Sequence, residues 1–275
     1  MAKALAAIIP VAGKGTRLGP ITRQLPKAMF PLIGPDGSVR PVAQWILREA
    51  LEAGCDRACF VCSDDQQNML RAYFSAEPAL AERIEYIAGV KPYGFGYAVW
   101  SAKGFAAGDD VLVLLGDHVH VAGPGAPTPA RQVVQAFEQA HPSAMIGVQA
   151  VPGSELHLVG ACRGERLSDR LYRCLRIIEK PEPTQWPEIA TPDLENGLFL
   201  AHAGIYALSN EIFEHLDDLV AHRAEGKEVG LTEAQQRLLE RRPEEYLLYH
   251  VAGQTYDTGT AQKYLATLNA LAKGC

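Results

Sequence analysis

The sequence predicts an α/β protein built on a doubly wound, mostly parallel (mixed) sheet, and three observations carry that prediction. Short apolar runs alternate with helix-period segments through the first half of the chain, the alternation that builds strand–helix–strand units. The runs at 58–62 and 111–115 are apolar at every position, which suits strands covered on both faces rather than a half-exposed sheet. The chain has 275 residues, 48% of them hydrophobic and 21% charged, an ordinary globular mix with length enough for a full core. That composition excludes disordered, collagen-like and coiled-coil proteins.

The elements follow in order. The first strand is predicted at 5–11. A helix at 41–53 carries Val42, Trp45, Ile46 and Ala50 on one face; it opens on a proline, suited to a first helical turn, and stops at Gly54. Next come a strand at 58–62, a helix capped by Asp64 that carries Met69, Leu70 and Tyr73, a strand at 84–87, a helix at 96–105 and a strand at 111–115. The second half is more mixed, with strands predicted at 144–151, 158–162, 174–178, 200–208 and 245–251. Its helices are predicted at 129–140, 209–219, 231–241 and 260–271. The stretches 123–129 and 182–193 read as surface loops, too short and too apolar for a disordered linker, so the chain is expected to form a single domain over 1–275.

A net charge of −6, with no dense Lys/Arg run anywhere, argues against a nucleic-acid partner. It leaves an anionic small molecule open, since a few cations focused in a cleft outweigh an acidic surface. Cys59 and Cys62 form a C-x-x-C inside an apolar run with no second pair at matching spacing, so buried strand thiols are favoured over a zinc or redox pair. Cys55, Cys162, Cys174 and Cys275 are scattered. The apolar opening leads straight into Gly13-Lys14-Gly15 with no cleavage site, and no run reaches the ~20 apolar residues that cross a bilayer. A soluble cytoplasmic protein with no membrane partner is expected.

Two segments stand out chemically. Val11-Ala12-Gly13-Lys14-Gly15-Thr16-Arg17 follows the first strand, and its glycines let backbone N–H groups close on an anion. Two known nucleotide fingerprints fail here. A Walker loop needs G-K-[ST] at its end, and a Rossmann loop needs glycine where Leu18 stands; the acid expected about 20 residues on, Asp36, lies in a turn instead of at a strand end. Lys27 is pinned by Pro26, ten positions after Arg17, and two cations so placed can clasp phosphates held by the glycine loop. Alone, each segment reads better as the plain alternative, a glycine-rich turn and a solvated lysine.

Together, Gly13-x-Gly15-Thr16-Arg17 and Pro26-Lys27 resemble the signature of the sugar-1-phosphate nucleotidyltransferases, the NDP-sugar pyrophosphorylases. The flanking Pro10-Val11-Ala12 and Ala28-Met29-Phe30-Pro31-Leu32 are most similar to the bacterial UTP–glucose-1-phosphate uridylyltransferase branch. The resemblance implies a Rossmann-like nucleotidyltransferase (GT-A-like) fold, with a nucleotide-binding half at 1–120 and a sugar-phosphate-binding half with a C-terminal helix at 121–275. It implies transfer of a nucleotidyl group from an NTP to a sugar 1-phosphate, UTP and glucose 1-phosphate by preference, in a homo-oligomer. Val11, Ala12, Gly13, Lys14, Gly15 and Thr16 with Gly94 and Gly96 would bind the nucleotide. Arg17 and the loop amides would hold the departing phosphates, and Lys27 the α-phosphate.

Further along, Gly116-Asp117-His118 follows a buried strand, where parallel sheets bind ligands. A hard oxygen ligand there suits Mg²⁺, which takes one or two protein carboxylates plus substrate phosphates, although an isolated Asp in such a turn also reads as a cap. The resemblance makes Asp117 the first Mg²⁺ ligand and Asp257, in Tyr256-Asp257-Thr258-Gly259, the second. Glu179-Lys180-Pro181 is similar to the family's E-K-P, in which Glu179 would contact sugar hydroxyls and Lys180 the sugar phosphate. Gly160 and Gly204 fall where the family's sugar meets the backbone. Two departures concern substrate choice: Gly89 stands where uridylyl- and thymidylyl-transferases carry a base-reading glutamine, and Arg40-Pro41 stands in for a Lys-Pro pair. Enzymes using dTTP, CTP or GTP, a non-catalytic NDP-sugar sensor and an NAD-dependent dehydrogenase remain as alternatives; the last leaves Lys27, Asp117 and Asp257 without a role.

Overall fold

The structure, a computed structural model, describes residues 5–13, 15–34, 36–123 and 125–272; Lys14 and Cys275 lie outside the described residues. Strand β1 (Ala6–Pro10) runs into the glycine loop and three single 3₁₀ turns, and the ribbon β2 (Pro31–Ile33) and β3 (Val39–Pro41) then leads into α1 (Val42–Ala53). The first half continues through β4 (Ala58–Val61), α2 (Asp64–Phe74), the single-turn α3 (Pro78–Ala81) and β5 (Ile84–Ile87), then α4 (Phe95–Ser101), α5 (Lys103–Ala106) and β6 (Val111–Leu114). After it come β7 (His118–Ala122), α6 (Pro129–Ala140), β8 (Ala144–Pro152), β9 (Gly160–Arg166), β10 (Leu171–Glu179) and the short α7 (Trp186–Ile189). The chain closes with β11 (Leu198–Leu208), α8 (Ile212–Ala221), α9 (Leu231–Arg241), β12 (Tyr246–His250), β13 (Gly253–Asp257) and α10 (Ala261–Ala272).

Nine strands form one sheet in the order β5-β4-β1-β6-β11-β8-β12-β10-β9. Its parallel part is β5-β4-β1-β6 together with the β8–β12 pair. The antiparallel part lies where β11 joins β6 and β8 and along β12-β10-β9. The alternation of β1 explains the layering. Ala7 and Ile9 pack with α1, α2, α6 and α10 on one face, and Ala6 and Ile8 pack with α4, α5, α8 and α9 on the other. Each face excludes water, so the strands can be apolar throughout. Among the described residues no helix is long and apolar enough to cross a membrane.

Several expectations change. Ser63, not Asp64, caps α2: its hydroxyl accepts from Gln66 N while the Gln66 side chain accepts from Ser63 N. That reciprocal box satisfies two orphan donors, and Asp64 and Asp65 complement the positive end of the helix from its first turn. The helix at 96–105 is two short helices divided at Ala102. Strand β9 starts at Gly160 because residues 153–158 wind into 3₁₀ turns. The loop at 182–193 contains α7, anchored by buried Ile189 and by Trp186 against Phe199. The ribbons β2–β3 and β7–β13 were not expected: their strands are short, three to five residues each, and nothing local names their partners.

The β7–β13 ribbon is tied to the core by one buried ion pair. His120 Nδ1 lies 2.6 Å from Glu49 Oε2 on α1 and Nε2 lies 2.9 Å from the Ala203 carbonyl, while Glu49 Oε1 accepts from Ala130 N at the start of α6. Both ring nitrogens face acceptors, so the ring carries two protons. Burial opposes that charge, but Glu49's charge and hydrogen bond outweigh it and hold the His120 pKa above its ordinary value. His120→Ala leaves Glu49 buried and unpaired, and a loss of about 3–5 kcal/mol at pH 7 is expected, read from the urea midpoint. The raised folded pKa gives the sign: the pair's contribution is complete below about pH 6.5 and fades as pH rises through the folded value. A midpoint shift worth less than about 1 kcal/mol contradicts this reading.

Candidate active site

A cleft of about 2250 Å³ opens over the carboxyl ends of β1, β4 and β6, where open α/β sheets bind ligands. Six cations line it, Arg17, Arg23, Lys27, Lys91, Lys180 and Lys263, in a chain whose net charge is negative. The glycine loop forms one wall. Gln66, buried at the start of α2, fixes the loop's beginning by donating to the Val11 carbonyl at 2.9 Å. Gly13 then passes under Lys27: a Cβ on Gly13 would lie 3.6 Å from Lys27 Cε and 3.7 Å from Nζ. Gly15 turns the chain with φ +61° and leaves room for Thr22 and the Lys27 stem. Ala12, Thr16 and Arg17 face the cleft.

Lys27 makes an ion pair with Asp117 Oδ2, and the second carboxylate oxygen lies 3.0 Å from His118 Nδ1. Burial works to raise the Asp117 pKa, but the hydrogen bond and charge of His118, with those of Lys27, outweigh it and hold the carboxyl ionised far below its usual range. Asp117 can sit there because of Gly116, where a Cβ would come within 2.2 Å of the Pro10 carbonyl. Only glycine lets the end of β6 press this closely on the end of β1.

Asp257 is brought alongside by the β7–β13 ribbon, whose register pairs it with His118. Thr258, 1% exposed, donates both its N–H (2.8 Å) and its hydroxyl (3.0 Å) to the Asp117 carbonyl. A Cβ on Gly259 would lie 2.8 Å from Asp257 Oδ1 and 3.6 Å from Asp117 Oδ2, so both carboxylates flank one point above Gly259. Asp257 Oδ1 accepts from Gly259 N at 2.6 Å, and Oδ2 accepts from Lys263 Nζ at 2.6 Å. Two hard oxygen donors at one point suit Mg²⁺, which completes its shell with phosphate oxygens and water. No cluster of three or more His, Cys, Asp or Glu able to hold a metal exists among the described residues.

At the far end, Gly160, Glu179 and Lys180 line the cleft together. Thr232 on α9 donates to Glu179 Oε2 at 2.7 Å. Lys180 has φ +47°, a conformation that costs a non-glycine residue about 1–3 kcal/mol; its N–H donates to Val159 O at 3.1 Å. Lys180 follows directly on the end of β10 and is exposed in the cleft.

Other residues are placed differently from expectation. Gly94 borders the cleft, but the close approach it and Gly96 permit is to the chain itself: Cβ atoms would meet Val229 O at 2.6 Å and Gly230 C at 2.7 Å. Gly204 lies outside the cleft lining; its φ of +81° forms the β11 bulge behind Leu115 and His118. Arg40 is held by Asp36 at 2.7 Å and stacks over Trp45, away from the cleft. Cys59 and Cys62 pack on opposite faces of the sheet, so they do not form a site; burial pushes the Cys62 thiol up to about 12.

The sequence reading passed over Thr258, Lys263, Thr232 and Gln66. For Gln66 a signal existed, the Ser-x-x-Gln spacing of a capping box. Thr258 had none, since its partner is 141 residues away.

Known proteins match the chain over nearly its whole length. The profile of the Nucleotidyl transferase family matches residues 6–274. A UTP--glucose-1-phosphate uridylyltransferase of Bacillus subtilis is 31% identical, over 97% of this chain and 90% of that protein. A crystal structure of UDP-glucose pyrophosphorylase complexed with UDP-glucose superposes with a TM-score of 0.80 at 23% identity, over 99% of this chain and all of that one. A UTP-bound UGPase from Acinetobacter baumannii gives 0.73 at 25% identity, over 97% and 93% of the two chains.

Proposed function

The chain belongs to the Nucleotidyl transferase family, and from that premise we propose that it transfers the uridylyl group of UTP to glucose 1-phosphate, giving UDP-glucose and pyrophosphate. The observation that carries this is the convergence of Lys27 on Gly13 and Asp117, with Asp257 facing the same point. The similarity to the B. subtilis uridylyltransferase over nearly the whole chain supports the choice of substrates.

An oxygen of the sugar phosphate attacks the α-phosphorus in line. The new P–O bond forms as the bond from that phosphorus to the bridging oxygen of the departing pyrophosphate breaks. The nucleophile is already an anion, so no protein nucleophile and no general base are required. Catalysis then consists of positioning and charge neutralisation. The glycine-loop amides and Arg17 hold the β- and γ-phosphates, and Lys27 neutralises the α-phosphate. Lys180, exposed in the cleft beside Glu179, steers the sugar phosphate, and Glu179 accepts from the sugar. Asp117 and Asp257 would hold Mg²⁺, which supplies further charge neutralisation at the phosphates when bound.

Gly89 leaves the base to be read without the relatives' glutamine. It has φ +69°, and a Cβ there would lie 3.8 Å from Asp64 Oδ1. Gln66 is already engaged by Ser63 N and Val11 O, and Asp65 and Asn68 on the same helix line the cleft, where their polar groups can read uracil. Pyrophosphate release tests the substrates, with UTP, dTTP, CTP, GTP and ATP crossed against glucose 1-phosphate and other hexose 1-phosphates. UTP with glucose 1-phosphate is expected to give the highest kcat/KM; preference for another pair overturns the substrate assignment.

A further inference from the structure

A histidine stands at the sugar end of the cleft inside an otherwise apolar strand. The β11–β9 ladder pairs Leu200 with Cys162 and Ala201 with Ala161, and β10 pairs Glu179 with Gly160. One more step of the first ladder sets His202 opposite Gly160, so three neighbouring strands present His202, Gly160 and Glu179 side by side. A Cβ on Gly160 would lie 2.8 Å from His202 Nδ1 and 3.1 Å from Glu179 Oε2. Gly160 thus keeps a gap between one ring nitrogen and one carboxylate oxygen, and both residues line the cleft.

The ring is fixed from behind. His202 is 8% exposed; its Nε2 lies 3.2 Å from Cys162 Sγ, and it meets Tyr206 edge to face with centroids 5.4 Å apart. Nδ1 has no hydrogen-bond partner among the described residues. Burial lowers the His202 pKa to about 4, so the imidazole is neutral. Burial also keeps the Cys162 thiol protonated, so its S–H can donate to Nε2, and in that tautomer the ring proton sits on Nδ1. Across the gap, Glu179 Oε2 is oriented by the Thr232 hydroxyl.

We propose that His202 and Glu179 together read one hydroxyl of the sugar, and that His202 is therefore a determinant of which hexose 1-phosphate is accepted. The inference rests on the transfer reaction proposed above. The hydroxyl accepts from His202 Nδ1–H and donates to Glu179. A sugar lacking that hydroxyl, or holding it on the other face, leaves the buried His202 Nδ1–H unpaired, while exposed Glu179 keeps Thr232 and water; an unpaired buried donor is what gives discrimination. A neutral ring contributes little to holding the phosphates, so its effect falls on that hydroxyl and not on UTP.

The test is a cycle of residue and substrate deletions. The kcat/KM of the wild type, His202→Leu and His202→Asn is measured with saturating UTP, using glucose 1-phosphate and its 2-, 3-, 4- and 6-deoxy analogues. The wild type is expected to lose about 10²-fold on one analogue. His202→Leu is expected to lose about 10- to 100-fold on glucose 1-phosphate yet to treat glucose 1-phosphate and that analogue within threefold of each other. His202→Asn, which retains an N–H donor near the Nδ1 position, recovers part of the discrimination. Equal losses on every sugar, or no loss, overturn the role of His202, and His202→Asn decides the matter alone if the leucine variant does not fold. A wild type that forms no UDP-glucose overturns the transfer reading itself, an outcome distinct from a turnover in which residue and substrate losses simply multiply.

Discussion

Lys27→Ala is expected to lower kcat at least about 10²-fold, the order seen when one preorganised stabilising group is removed from a charge-developing site, while the protein stays folded. Lys27 is set in a 3₁₀ turn directly after Pro26. Its side chain is 14% exposed and lies over Gly13 and against Asp117, so its position is settled before substrate arrives. A cation placed in advance contributes most where negative charge passes through the α-phosphate, and little to holding the ground state. The loss is therefore expected in kcat more than in KM. Lys27→Arg recovers little, because a planar fork does not occupy the space of a compact ammonium between Gly13 and Asp117. Near-wild-type turnover by the alanine variant removes Lys27 from the reaction.

Asp257→Asn is expected to have an effect of similar size, at least about 10²-fold in Mg²⁺-dependent turnover at fixed metal concentration, partly restored by raising Mg²⁺. The amide oxygen still accepts from the Gly259 N–H, whereas the amide nitrogen cannot accept from Lys263, so the variant gives up that part-exposed ion pair together with the charge that would hold Mg²⁺. The ribbon register and the Thr258 clamp on Asp117 do not depend on that charge, so thermal unfolding is expected to move by no more than a few degrees. Unchanged turnover, or a collapse of stability that accounts for the whole loss, contradicts a metal-holding role for Asp257.

How far the sequence led depended on the range of the interaction concerned. The strands β1, β4 and β6 were legible because they are buried on both faces and apolar throughout. The glycine loop and Lys27 were legible because their partnership is local. The meeting of Asp117 with Asp257 was expected from the family resemblance alone and had no local signal, because it depends on β7 pairing with β13 across the length of the second half. His118-Val119-His120-Val121 does alternate as a strand should, yet nothing local names its partner. Long-range pairing also hid the buried Glu49–His120 pair. At α2 the local signal existed but was assigned one residue late, to Asp64, because an acid in the first turn and a true cap look alike without the Gln66 reciprocity. Gly204 and Gly96 carried motif positions, but their glycine requirement comes from packing of the chain on itself. His202 had one faint signal, a lone polar residue in an eleven-residue apolar strand, and only the register with Gly160 gives it a place in the cleft.

The most direct test of the central claim follows the α-phosphorus. UTP labelled with ³²P at the α position is incubated with glucose 1-phosphate and Mg²⁺, and the products are separated. The account predicts that the label moves into UDP-glucose in step with pyrophosphate release, and that neither occurs without the sugar phosphate. Label recovered as UMP, or retained in UTP throughout, contradicts it.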